Sequence, residues 1–117
     1  MADVTVMVEL GEAWVVDLMA AVTQYGAWGS GAGTADKSHT SLFTEESETR
    51  ISTTITQPLA DKIQHVWLMT AAAGKTITNC GIFSAVTSGT LYYKASFTGI
   101  PLSSGDKIEF TLTNEVT

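Results

Sequence analysis

The chain has 117 residues, a formal net charge of −6 and only 15% charged side chains, against about 25% in an average soluble protein. Its six basic residues are scattered with no two adjacent, which argues against a nucleic-acid ligand and against an anionic membrane surface. Thr and Ser fill about a quarter of the chain in place of the missing charge, and threonine suits a pleated, half-exposed strand.

Cys80 is the single cysteine, so no intrachain disulfide can form. Met1-Ala2-Asp3 lacks the basic region of a signal peptide, and the apolar run 13–22 is interrupted by Asp17 and too short to span a bilayer. The expectation is a soluble protein made in the cytoplasm, with no membrane partner.

Segment 9–23 reads as a helix, with Trp14, Leu18 and Ala21 on one face and Val15 and Val22 beside them. A strand through Trp14-Val15-Val16 is the alternative for that run. Segment 25–34 is aromatic and glycine-rich, suited to tight turns and close backbone contacts. Segment 35–47 is polar and aperiodic, an ordered surface loop pinned by Leu42 and Phe43.

Strand signals follow. Segment 50–56 alternates Ile51, Thr53 and Ile55 against Ser52, Thr54 and Thr56, and Pro58 ends it. Segment 63–72 is apolar on both faces and is expected to be central, with Trp67 in the core. Gly74-Lys75 is expected to turn the chain into a strand over 76–86, and Ser88-Gly89 into another over 90–97, where Leu91, Tyr93, Ala95 and Phe97 share a face. After Pro101 and a Ser104-Gly105-Asp106 turn, segment 107–113 points Ile108, Phe110 and Leu112 inward. Five strands with one short N-terminal helix predict a mainly β, single-domain fold over 1–117, an antiparallel sandwich or jelly-roll-like barrel.

Few groups carry chemistry. Gly74-Lys75-Thr76 ends like a phosphate-binding loop, but Met69 stands where its first glycine belongs and a strand follows, so a hairpin turn is expected. Gly29-Ser30-Gly31-Ala32-Gly33 has the wrong spacing for a dinucleotide loop. Glu45, Glu46 and Glu48, followed by Arg50, read as a solvated charged loop. His39 and His65 lack partners at metal-ligand spacing. A Cys80–His65 nucleophilic pair would need the fold to join them, and a strand cysteine is expected to be a small core residue. Trp14 and Trp28 read as interface anchors, with a carbohydrate-stacking platform as the alternative.

Several stretches carry a resemblance: Trp28-Gly29-Ser30-Gly31; Leu42-Phe43-Thr44-Glu45 with Arg50 opening a Thr-rich strand; Ile77-Thr78-Asn79-Cys80-Gly81-Ile82-Phe83; Ser88-Gly89-Thr90-Leu91; Ala95-Ser96-Phe97; and Leu102-Ser103-Ser104-Gly105-Asp106-Lys107-Ile108-Glu109-Phe110. From Trp28 onward the layout resembles small tailed-bacteriophage virion proteins, among them head decoration (cement) proteins and tail-associated proteins. That pattern has an acidic residue ahead of the Gly-(Ile/Leu)-Phe step, where this chain has Asn79-Cys80.

The resemblance implies a β-sandwich on the outer surface of the capsid, forming a homotrimer and clamping neighbouring major capsid protein subunits. It implies no catalytic residue, metal or cofactor. A tail or tail-fibre component that binds a glycan receptor through Tyr25, Trp28, Tyr92 and Tyr93 is the alternative. The segments expected to reach a partner are the N-terminal residues 2–8 (Ala2, Asp3, Val4, Thr5 and Val6 foremost) and the loop 35–47 with Leu42 and Phe43, besides Trp14 and Trp28.

Overall fold

A computed structural model of the chain describes residues 9–115. Helix α1 (Glu9–Ala20) is followed by seven strands: β1 (Tyr25–Gly29), β2 (Ile51–Ser52), β3 (Thr54–Thr56), β4 (Lys62–Thr70), β5 (Lys75–Phe83), β6 (Leu91–Leu102) and β7 (Lys107–Glu115). They form two antiparallel sheets, in the orders β2-β1-β5-β6 and β3-β4-β7. The mainly β, sandwich-like expectation holds, and β4 is central in its sheet as its two-sided apolar pattern requires.

Three features depart from the sequence reading. The glycine-rich segment after α1 is a strand, β1, flanked by β2 and β5. The segment read as one strand over 50–56 splits at Thr53, whose N–H and Oγ1 both donate to the Gln24 carbonyl at 2.9 and 3.0 Å. Ile51 thus pairs in one sheet and Ile55 in the other. Gly74-Lys75 is likewise no hairpin: it carries the chain from β4 in one sheet to β5 in the other, and β5 pairs with β1 and β6. Such sheet-switching corners close a sandwich.

The core between the sheets is aromatic. Trp67 stacks on Phe110 with ring centroids 4.9 Å apart, and Trp28 meets Phe110 edge-on at 6.3 Å. Met69, Ile77, Cys80 and Ile82 fill the space around them. Between Ile77 and Asn79 the β5–β6 register shifts, two residue steps of β5 facing four of β6, and across this irregularity Ile77 and Cys80 both reach the core. Gly26 is required by the same core. A Cβ there would lie 2.3 Å from the Trp67 ring, so the indole rests on bare backbone.

The outer face of the four-stranded sheet is covered by the loop between β1 and β2. Asn79, fully buried, donates through Nδ2 to the Phe43 carbonyl and accepts the Phe43 N–H at Oδ1, both at 3.1 Å. Gly31 N–H also donates to the Phe43 carbonyl, at 3.0 Å, and Cβ atoms at Gly29, Gly31 or Gly33 would collide with Phe43. Leu42 packs with Ala27 and Phe83 beneath the loop. The expected pinning by Leu42 and Phe43 is what the structure contains.

Replacing Gly26 by alanine should overpack the interlayer space and displace Trp67 from Phe110. A cost of about 1–3 kcal/mol is expected, read as a lower urea midpoint at unchanged m-value.

Candidate functional site: an apolar ridge on helix α1

Nine of the twelve residues of helix α1 are uncharged, the exceptions being Glu9, Glu12 and Asp17, and only part of its apolar set is used within the chain. Val16 is fully buried and Met19 and Ala20 are half-buried. Leu10, Trp14 and Leu18, at four-residue spacing, line up on the opposite side with exposures of 84, 63 and 51%. Val22, just past the helix end, extends the ridge at 54%. The face that the sequence pattern picks out, through Trp14 and Leu18, is therefore turned to solvent, and Val16 does the internal packing.

Two contacts fix the helix in this orientation. Gln24 Nε2 donates to the Met19 carbonyl at 2.6 Å, and its Oε1 accepts from His65 Nε2 at 2.7 Å inside the core. Tyr93 Oη donates to Met19 Sδ at 3.6 Å. Beside the ridge, Leu18, Met19, Val22, Gln24, Tyr92 and Tyr93 enclose an apolar groove of about 410 Å³.

The other residues expected to meet a partner are placed differently. Trp28 is fully buried, with Nε1–H donating to Glu48 at 3.1 Å, so it is a core residue rather than a surface anchor and offers no stacking platform. Leu42 is 6% exposed and is likewise removed from any contact surface. They are withdrawn for different reasons: Trp28 packs between the sheets against Phe110, whereas Leu42 packs with Ala27 and Phe83 where its loop folds back over the four-stranded sheet. Phe43 is half-buried, its ring edge-on to His39 and 3.3 Å from Lys94 Nζ. Residues 2–8 lie outside the described residues. Of the two tryptophans named as anchors, Trp14 alone projects outward.

The Glu45–Arg50 cluster is not the solvated loop its composition suggests. Arg50 forms a bidentate pair with Glu45 at 2.8 and 2.9 Å, donates to the carbonyls of Ala85 and Ser88 at 2.9 and 2.6 Å, and lies 3.6 Å over the Phe83 ring. Glu48 accepts from Lys75, from the Ala72 N–H and from Trp28. Lys75 is thereby held by carboxylates, Glu46 among them at 3.7 Å, where a phosphate-binding loop would need it free. These groups tie the loop, the sheet and the β5–β6 turn together.

Cys80 and His65 serve the core separately. Burial among Trp28, Ile77 and Ile82 pushes the Cys80 thiol up to about 12, far from the thiolate a nucleophile requires. His65 Nε2 is engaged by Gln24. Among the described residues no three His, Cys, Asp or Glu side chains gather as a metal site, and no described helix is long and apolar enough to cross a membrane. No protein-family model matches the chain, and no curated protein matches it significantly.

Two buried groups give stability a defined pH dependence. Burial depresses the His65 imidazole from 6.5 to about 4, so the unfolded chain binds the proton first as pH falls. Stability from this group is complete above about pH 6.5 and is lost towards pH 4. For Glu48, burial works to raise the carboxyl, but the donors Lys75, Ala72 N–H and Trp28 outweigh it and hold the group at about 2. Its contribution is present above about pH 4.5 and lost as pH falls through 2. Urea midpoints measured in steps downward from neutral pH should show both losses in succession. His65→Leu should abolish the first and Glu48→Gln the second.

Proposed function

We propose that the chain is a non-enzymatic structural module of a tailed-bacteriophage virion. It is a decoration protein that sits on the outer surface of the head, assembles as a homotrimer and bridges neighbouring major capsid protein subunits. The observation that carries this reading is the Leu10–Trp14–Leu18 ridge standing opposite the helix's own buried face. A contiguous row of exposed large apolar side chains marks a surface that a partner covers, and among the described residues the Leu10, Trp14 and Leu18 row is uncovered. A second protein surface completes the burial.

Several further features support the reading. The resemblance in layout runs from Trp28 to Phe110. The paired sheets, the Asn79 clamp and the Arg50 and Glu48 networks make a stiff slab, and stiffness is what a clip across capsomer joins must have. Covering each of the three ridge side chains contributes on the order of 1.5–3 kcal/mol. A trimer presenting three such ridges gains further through effective concentration once the first is seated. Such a function needs shape and contact area, with no reactive group.

The test is co-sedimentation with heads lacking this protein. The double substitution Trp14→Asp and Leu18→Asp should weaken head binding by about 100-fold or more, the scale of an interface hot spot. The free variant should keep its melting temperature within a few degrees, since both side chains are exposed. Undiminished binding would remove the ridge from the interface. Electron cryo-microscopy of the source particle showing no such density on the head would remove the placement.

A further inference from the structure

A second surface feature lies apart from the ridge and has the opposite chemistry. Between the open edges of β6 and β7, beneath residues 35–39, is a groove of about 450 Å³ whose lining includes Asp36, Lys37, His39, Tyr92, Lys94 and Asn114. Its roof is held in place: the Ala35 N–H donates to Ser96 Oγ at 2.9 Å, and Lys94 Nζ donates to the Ser41 carbonyl at 2.8 Å. A volume of this order suits a small ligand rather than a single ion.

Its hydrogen-bond inventory is one-sided. His39 Nδ1 accepts from the Asp36 N–H at 3.2 Å and lies 3.1 Å from Lys94 Nζ. An ammonium can only donate, so Nδ1 is the acceptor and Nε2 carries the ring hydrogen. That N–H has no partner among the described residues. Asn114 Nδ2 is buried and also lacks a partner. Lys37 and Lys94 form no ion pair among the described residues, whereas Arg50, Lys62 and Lys75 each have a carboxylate. The one acid in the lining, Asp36, already accepts at Oδ1 from the N–H and hydroxyl of Ser38 at 2.9 and 3.0 Å. In a chain of net charge −6, Lys37 and the His39 Nε2–H are, besides the buried Asn114 amide, the groove's donors without a partner among the described residues, while Lys94 is engaged by Ser41, His39 and Phe43 and adds its charge to the wall.

Beside these donors stands Tyr92, with 48% of its surface exposed. A flat amphipathic ring next to charge-assisted donors matches a ligand with an apolar face and an anionic edge. A pyranose bearing a carboxylate has both. A bare inorganic anion would leave the aromatic wall unused, and a neutral sugar would leave the Lys37 charge without a counterion.

We propose that this groove binds an acidic saccharide, a uronate whose ring lies on Tyr92 and whose carboxylate is taken by Lys37 and the His39 Nε2–H. The site is independent of the assembly reading, because none of the ridge residues Leu10, Trp14 and Leu18 lines it.

The experiment is calorimetric titration of the full chain with tetragalacturonate and tetramannuronate, alongside neutral maltotetraose and tetraglutamate. Saturable binding of at least one uronate is expected, weakening with added salt. Lys37→Glu and Tyr92→Ala should each weaken it by about tenfold or more, equivalent to about 1.4 kcal/mol. Lys107→Glu makes the same charge change away from the groove and should alter binding by less than about twofold. The Trp14→Asp, Leu18→Asp protein should bind as the parent does, so loss of the ridge and loss of the groove are read separately. Absence of saturable uronate binding, equal binding of maltotetraose, preference for tetraglutamate, or equal losses in Lys107→Glu and Lys37→Glu would each overturn the proposal.

Discussion

One buried hydrogen bond, His65 Nε2 to Gln24 Oε1 at 2.7 Å, decides how the helix meets the sandwich. The imidazole sits on the interior face of β4, so the bond reaches from the sheet core to the residue that follows α1. Gln24 also accepts and donates elsewhere, its Nε2 donating to the Met19 carbonyl and its backbone carbonyl accepting from Thr53, far along the chain. One buried residue thus caps the helix end, splits segment 50–56 between two sheets and seats α1 on β4. Because it fixes the rotation of α1, it also fixes which side points outward. Rotated by half a turn, the same helix would bury Trp14 and Leu18 and expose Val16, and the outer surface would carry no ridge.

Much of the architecture is legible in the sequence, for a plain physical reason. Strands half-buried against one core alternate with period two, and the runs over 63–72, 90–97 and 107–113 do so or are apolar throughout. What was illegible depends on contacts distant in the chain. β1 reads as a turn because Gly26 is dictated by Trp67, more than forty positions later, and the glycines at 29, 31 and 33 by Phe43. The break at Thr53 comes from Gln24. No local pattern encodes either. The same limit applies to the site: periodicity identified the Trp14–Leu18 face, but whether a face is covered by its own chain or by another is a property of the whole fold. Trp28 shows the converse, an aromatic that composition offers as an anchor and that Glu48 and the surrounding core retain inside.

The Asn79 side chain is matched to the backbone it clamps. Its amide both donates to and accepts from the backbone of Phe43. A carboxylate at this position could accept the Phe43 N–H but would set a second acceptor against the Phe43 carbonyl. Asparagine therefore matches the way this particular loop crosses the sheet. Gly31, whose N–H shares that carbonyl, is part of the same adaptation.

Charge and polarity are distributed to a consistent end. Glu45, Glu48, Arg50 and Lys75 neutralise one another across the loop and sheet, while Cys80 and His65 are held uncharged by burial. Groups that could react are thereby committed to holding the slab together. Among the described residues, the apolar ridge and the donor-bearing groove are two surfaces of opposite character, and the grooves beside them meet at one pair of tyrosines. Tyr92 and Tyr93 line both the apolar groove beside α1 and the polar groove roofed by residues 35–39. A protein partner seated on the ridge would reach the apolar side of that tyrosine pair, and a saccharide would lie on its polar side. The start of β6 is thus a wall common to both grooves.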